Sequence, residues 1–96
     1  MRPSDEVELE QPPAFNIGDK VRLRKVIKND GTFPGQEIGV ILATKGDTGY
    51  VASIGTYLQR SYIYAVHFLD KGFVIGCLKK ELELVEKGQE LTEEVL

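Results

Sequence analysis

The stretch KGDTGYVASIGTYLQRSYIYAVHF, Lys45–Phe68, decides the fold of this chain. Its opening supplies two glycines that tolerate positive φ and an aspartate that favours a local turn. A β-branched and aromatic run follows over residues 50–54, and Gly55 ends it. The second run alternates, which places on one face Tyr62, Tyr64, Val66 and Phe68. We therefore expect two central strands joined by an exposed loop over residues 55–61, too long for a two-residue hairpin.

The segments around this stretch predict further short strands. Alternation in Lys20–Arg24 puts two apolar residues inside, and we expect this strand to continue to Ile27 through a bulge. Residues 37–43 fit either a loop or a short strand. Later segments predict a strand over 73–78, a short 3₁₀ turn over 79–81 and a closing strand over 82–85. Five short strands with glycine-containing turns favour a small closed β-barrel, with Phe15 and Ile17 as plugs for its end.

The bulk numbers predict one domain in a chain of 96 residues. We expect a disordered acidic lead-in over residues 1–14, the barrel over 15–86, and over 87–96 a tail able to form a short, frayed helix. The N-terminus lacks the apolar core of a secretory signal, and no apolar run has the length of a membrane helix. A single cysteine, Cys77, excludes an internal disulfide and fits a reducing compartment. These features predict a cytoplasmic protein without membrane association.

Charge is distributed unevenly along the chain. The net charge is −3, but residues 15–80 carry ten Lys or Arg against five Asp or Glu. The cations concentrated on the first strand are Lys20, Arg22, Arg24, Lys25 and Lys28. They fit an ordinary solvated strand face, electrostatic steering toward an acidic protein, or, as the least favoured reading, nucleic-acid binding.

Residues for catalysis or metal binding are few. A structural metal or iron–sulfur site needs about four thiolate or imidazole ligands, whereas this chain offers Cys77 and His67. A single histidine does not assemble a convincing catalytic triad, and the glycines match no phosphate-binding motif. We therefore expect neither an enzyme nor a resident metal or cofactor. Both residues fit packed strand positions, with transient contact to a partner's cluster as the alternative.

Two predicted loops carry large apolar side chains that a barrel does not need for packing. The candidate partner-binding surface combines the Asn29–Gly35 loop with the Tyr57–Arg60 loop. The apolar anchors would be Phe33, Tyr57 and Leu58, and the polar determinants Asn29, Asp30, Gln59 and Arg60. The alternative is that these side chains cap the open ends of the barrel.

A set of motifs along residues 16–86 gives a more specific indication. In order they are GDKVR at 18–22, KNDGTFPG at 28–35, GDTGYV at 46–51, IGTYLQ at 54–59, YIYAVHF at 62–68, VIGC at 74–77 and ELEL at 81–84. Together they resemble the NifZ family of nitrogen-fixation proteins. Their outline alone is similar to other SH3-like barrels: a small barrel protein of photosystem I, the variable chain of ferredoxin–thioredoxin reductase, and KOW-type RNA-binding domains. The resemblance implies an SH3-like barrel.

The NifZ resemblance also implies a role and a partner. It implies an accessory, chaperone-like protein that binds the nitrogenase molybdenum–iron protein or its assembly intermediates. The stage would be the fusion of paired iron–sulfur clusters into the P-cluster, which the accessory protein assists without catalysing it. Longer family members carry additional C-terminal sequence. Two alternatives stay open: a KOW-like RNA-binding module, and a structural component of an electron-transfer complex such as photosystem I.

Overall fold

The computed structural model describes residues 7–88, which form strands and two short 3₁₀ turns. The strands are β1 Lys20–Leu23, β2 Ile27–Lys28, β3 Ile41–Ala43, β4 Thr48–Tyr57, β5 Ser61–Phe68, β6 Phe73–Cys77 and β7 Leu82–Glu86. The 3₁₀ turns are Glu8–Glu10 and Lys79–Glu81. In the described range no helix has the length and apolar character needed to cross a membrane. The predicted all-β class is confirmed; residues 1–6 of the lead-in and 89–96 of the tail lie outside the described residues.

Five strands form one antiparallel sheet in the order β6-β5-β4-β1-β7, and β2 pairs with β3 in a second sheet. The prediction of one strand from Lys20 to Ile27 is therefore wrong. β1 ends at Leu23, the Arg24 N–H donates to the Glu81 carbonyl at 2.8 Å, and the chain bends before β2 begins. The described ladders pair β6 with β5 and β7 with β1, so closure into an SH3-like barrel stays a prediction.

The β4–β5 hairpin is the longest ladder of the sheet. The register runs from Tyr50 opposite His67 to Tyr57 opposite Ser61, with a bulge between Val51 and Ser53. β4 thus extends past Gly55, and most of the predicted exposed loop is paired strand. The bulge shifts the alternation by one residue, so the side chains that follow it on β4 change faces.

The core consists of the inward-facing residues of this sheet. Those with no more than 1% of their surface exposed on the five-stranded sheet are Val21, Leu23, Val51, Tyr64, Val66, Phe68 and Cys77. Phe15 closes one side of the core, because its ring meets the Tyr64 ring edge-on with 5.1 Å between centroids. Ile17, the second predicted plug, is instead 65% exposed.

Residues 7–14, for which the sequence predicted disorder, lie along the start of β5. The Glu8 N–H donates to the Arg60 carbonyl at 2.8 Å, and the Glu8 Oε1 accepts the Tyr62 N–H at 3.1 Å. The Ala14 N–H donates to the Tyr64 hydroxyl at 2.9 Å. The described part of the lead-in is thereby fixed beside the tip of the β4–β5 hairpin.

Candidate partner-binding surface

The tip of the β4–β5 hairpin is a tight turn with an unusual sequence. The Arg60 N–H donates to the Tyr57 carbonyl at 3.0 Å, and Leu58 and Gln59 between them have φ of 55° and 57°. Turns with two positive φ angles favour Asn-Gly, since other side chains pay about 1–2 kcal/mol for each left-handed residue. A leucine and a glutamine there gave no turn signal in the sequence, which explains why a longer loop was predicted.

The same turn presents apolar side chains to solvent. Leu58 is 71% exposed and Tyr57 is 56% exposed. Burying a leucine side chain is worth about 1.5–3 kcal/mol, so its exposure in a backbone conformation that it disfavours has no folding rationale. Glu8 holds the turn from below through the Arg60 carbonyl. Together, Tyr57, Leu58, Gln59 and Arg60 form the hairpin tip, a fixed, partly apolar projection.

Asn29 has a different place from the one that the sequence predicted. It is 2% exposed, and its side-chain amide donates to the carbonyls of Phe33, Gln36 and Glu37 at 3.1, 2.9 and 3.2 Å. Its Oδ1 accepts the N–H groups of Gly31 and Phe33 at 2.9 and 3.1 Å. Asn29 therefore organises the loop between β2 and β3 from inside and offers no polar group to a partner.

Phe33 and Asp30 occupy the surface of that loop. The Phe33 ring packs edge-on against Phe73 with 5.2 Å between centroids, and Phe33 is half-buried against the core. This fits the alternative reading, in which Phe33 covers an end of the core. Asp30 is exposed, and hydrogen bonds from the Thr32 side chain and backbone lower the pKa of its carboxyl. Asp30 thus keeps its negative charge at neutral pH.

The structure does not bring the two predicted loops together. Phe33 packs on Phe73, which pairs with Phe68 at the end of β5, whereas Tyr57 pairs with Ser61 at its beginning. At about 3.3 Å per residue, these ends of β5 are on the order of 20 Å apart. The expectation of one combined surface is corrected to two separate ones, because the β4–β5 ladder holds the loops at opposite ends.

The sequence reasoning missed an aliphatic group on the second arm of the β2–β3 loop. Ile38 is 76% exposed, Val40 38% and Ile41 54%. Ile38 lies beside Gly31, and Ile41 is paired with Lys28 across the small sheet. Neither helical nor strand periodicity marks these residues, so exposure was the signal that could identify them.

The first-strand cations do not form a continuous positive surface. Arg22 donates to Glu83 at 2.7 Å, and this hydrogen bond lowers the pKa of the Glu83 carboxyl. Lys25 lies 3.8 Å from Glu81, and Lys28 belongs to the second sheet. Exposed pairs of this kind add little stability. They do neutralise part of the charge that nucleic-acid binding would use.

Cys77 and His67 lie apart. Cys77 pairs with Tyr64 and is fully buried, whereas His67 pairs with Val74, three positions along the ladder and on the opposite face of the sheet. Burial raises the pKa of the Cys77 thiol to about 12, with a smaller contribution from the Glu81 carboxylate. Among residues 7–88 no three His, Cys, Asp or Glu side chains are grouped to hold a metal ion. The two residues therefore do not form a shared ligand pair.

Replacing Asn29 by the isosteric aspartate tests its organising role. Asn29→Asp turns a donor to three carbonyls into a carboxylate oxygen that they repel, so unfolding free energy should fall by roughly 2–4 kcal/mol. Urea unfolding measures the change. The reverse swap next to it, Asp30→Asn at an exposed site, should change stability by less than about 1 kcal/mol. Equal effects of the two variants would contradict the assignment of Asn29.

The Cys77 thiol should resist alkylation in the native protein. Its folded-state pKa of about 12 lies above the ordinary value of 9.0. Folding is therefore favoured fully below pH 9 and loses this contribution as pH rises toward 12. We expect iodoacetamide at pH 8 to label the unfolded chain readily and the folded chain only on the timescale of unfolding, as followed by mass spectrometry. Rapid native labelling would show an exposed, reactive thiol.

Comparison with known proteins identifies the family. Residues 12–84 match the model of the NifZ domain. The chain is 51% identical over 78 residues to the putative NifZ protein of Sinorhizobium fredii, covering 81% of this chain and 72% of that protein. It is 51% identical over 72 residues to protein NifZ of Azotobacter vinelandii, covering 75% of this chain and 45% of that protein. With the probable NifZ protein of Rhodobacter capsulatus it shares 49% identity over 71 residues, 74% of this chain and 91% of that protein. No solved structure matches the chain, and on these similarities it belongs to the NifZ family.

Proposed function

We propose that this chain assists maturation of the nitrogenase molybdenum–iron protein by binding an assembly intermediate while paired iron–sulfur clusters fuse into the P-cluster. Membership of the NifZ family associates the chain with nitrogen fixation. The NifZ resemblance supplies the client and the stage. Because the chain spans 45% of the Azotobacter protein's length, the proposal concerns the part of such a protein that these residues form.

The observation that carries the proposal is the hairpin tip. Leu58 and Tyr57 are exposed apolar side chains on a turn whose backbone is already fixed. A partner that buries them gains apolar contact without the cost of ordering a flexible loop. Exposed strain of this kind is characteristic of binding sites. We therefore assign the first contact with the client to the hairpin tip.

The position of the cysteine fits a binding role in which the client keeps its clusters. Cys77 is buried beneath the sheet, and its raised pKa keeps the thiol protonated. Metal and cluster ligation requires the thiolate. In this proposal the client supplies the cluster ligands, and the chain contributes a shaped surface that holds the client in a competent conformation. Its part in maturation is then non-catalytic.

The hairpin tip is tested by changing Leu58 without straining the turn. Asparagine tolerates left-handed backbone, so Leu58→Asn removes the apolar side chain and should leave thermal unfolding unchanged or slightly raised. Capture of purified molybdenum–iron protein lacking mature P-clusters should weaken by about tenfold or more, which corresponds to about 1.4 kcal/mol. Biolayer interferometry measures the dissociation constant.

The matched control is Leu69→Asn, the same change in an exposed leucine (58%) beyond the opposite end of β5. It should leave both unfolding and capture unchanged. The assignment of the hairpin tip would be contradicted if both variants captured the client as the unaltered chain does, or if both weakened capture equally.

A further inference from the structure

A cleft of about 590 Å³ opens beside the hairpin tip. Its rim carries Arg24, Lys79 and Lys80, its floor is Phe15, Leu78 and Leu82, and one end is formed by Glu8 and Ser61. We call this site the cationic cleft. Ser61 follows Arg60 directly, and the Arg60 carbonyl accepts the Glu8 N–H, so the cleft and the hairpin tip are continuous. One partner can therefore contact both.

The rim cations have no carboxylate partner within residues 7–88. The ion pairs of that range join Arg22 to Glu83, Lys25 to Glu81 and Lys71 to Asp47. Glu81 follows the two rim lysines, but its carboxylate is used elsewhere: Oε1 accepts the Leu78 N–H at 2.8 Å, and Oε2 lies 3.8 Å from Lys25. The cleft thus presents uncompensated positive charge to whatever enters it.

Glu8 adds a second requirement at the end of the cleft. Its Oε1 accepts the Tyr62 N–H, while its Oε2 is buried and has no hydrogen-bond partner. A buried acceptor without a donor costs about 1–3 kcal/mol, and such atoms are rare in native proteins. A ligand that brings an N–H to this oxygen would remove the cost.

We propose that the cationic cleft binds an acidic, extended segment of the partner polypeptide. Carboxylates of the segment pair with Arg24, Lys79 and Lys80, an apolar side chain covers the floor at Leu78, and a backbone N–H donates to the Glu8 Oε2. This inference rests on the proposed function and names the kind of client segment that the chain recognises. A nucleic acid fits less well, because its phosphodiester backbone has no N–H donor and would meet the Glu8 carboxylate.

The test uses the full chain and fluorescein-labelled peptides of about ten residues, the size of an extended strand-like ligand. The probe alternates Glu or Asp with Leu and Ser, and a matched peptide carries Gln and Asn in place of the acids. Fluorescence anisotropy should show that the acidic peptide binds, that added salt weakens its binding, and that the neutral peptide does not bind. The double variant Lys79→Glu/Lys80→Glu should weaken binding by about tenfold or more, because it places like charges together.

The control is Lys28→Glu/Lys45→Glu, which makes the same change of net charge at exposed lysines outside the cleft. It should retain the acidic peptide, and thermal unfolding should show that both double variants are folded. The inference is overturned if the acidic peptide does not bind, if the control weakens it equally, or if a labelled thymidine oligonucleotide binds the cleft in its place. Loss of the peptide with full capture of the molybdenum–iron protein would also overturn it, while leaving the proposed function and the Leu58 result intact.

Discussion

The register of the β4–β5 ladder is the constraint on which the rest of the structure depends. These strands contain no Asp, Glu, Lys or Arg, and their inner face supplies Val51, Tyr64, Val66 and Phe68 to the core. Pairing Val51 with Val66 aligns that face, and the bulge that follows lets β4 continue to the hairpin tip. Because β5 is rigid and eight residues long, features at its two ends act separately. The ladder therefore decides which surface residues can reach one partner.

Two buried polar side chains fix the irregular segments around this ladder. Asn29 holds the β2–β3 loop by bonding to its own backbone. Asp19, 3% exposed, accepts the N–H groups of Asn16 and Gly88 at 2.8 and 2.7 Å and so joins the entry of β1 to the chain beyond β7. Buried polar groups of this kind are stabilising because every bond is made. The projecting surfaces are consequently presented by ordered segments.

Sequence patterns predicted the strands well and the site in part. Alternation and glycine placement identified every strand of the main sheet, since side-chain period and turn chemistry are local. The hairpin tip was placed in a loop, because Leu58 and Gln59 carry no turn preference. The separation of Phe33 from Tyr57 and the meeting of Arg24 with Lys79 depend on long-range pairing, which no local pattern contains. The burial of Asn29 was missed for the same reason, although its turn was predicted.

Hydrogen–deuterium exchange of the chain, alone and mixed with molybdenum–iron protein lacking mature P-clusters, tests most directly that the hairpin tip and the cationic cleft form one docking surface. Binding should slow exchange of backbone amides at residues 57–61 and 78–80, because these would be covered together. Amides of the Asn29–Gly35 loop, on the order of 20 Å away along β5, should be unchanged. Slowed exchange confined to that loop, or none at the hairpin tip, would contradict the account.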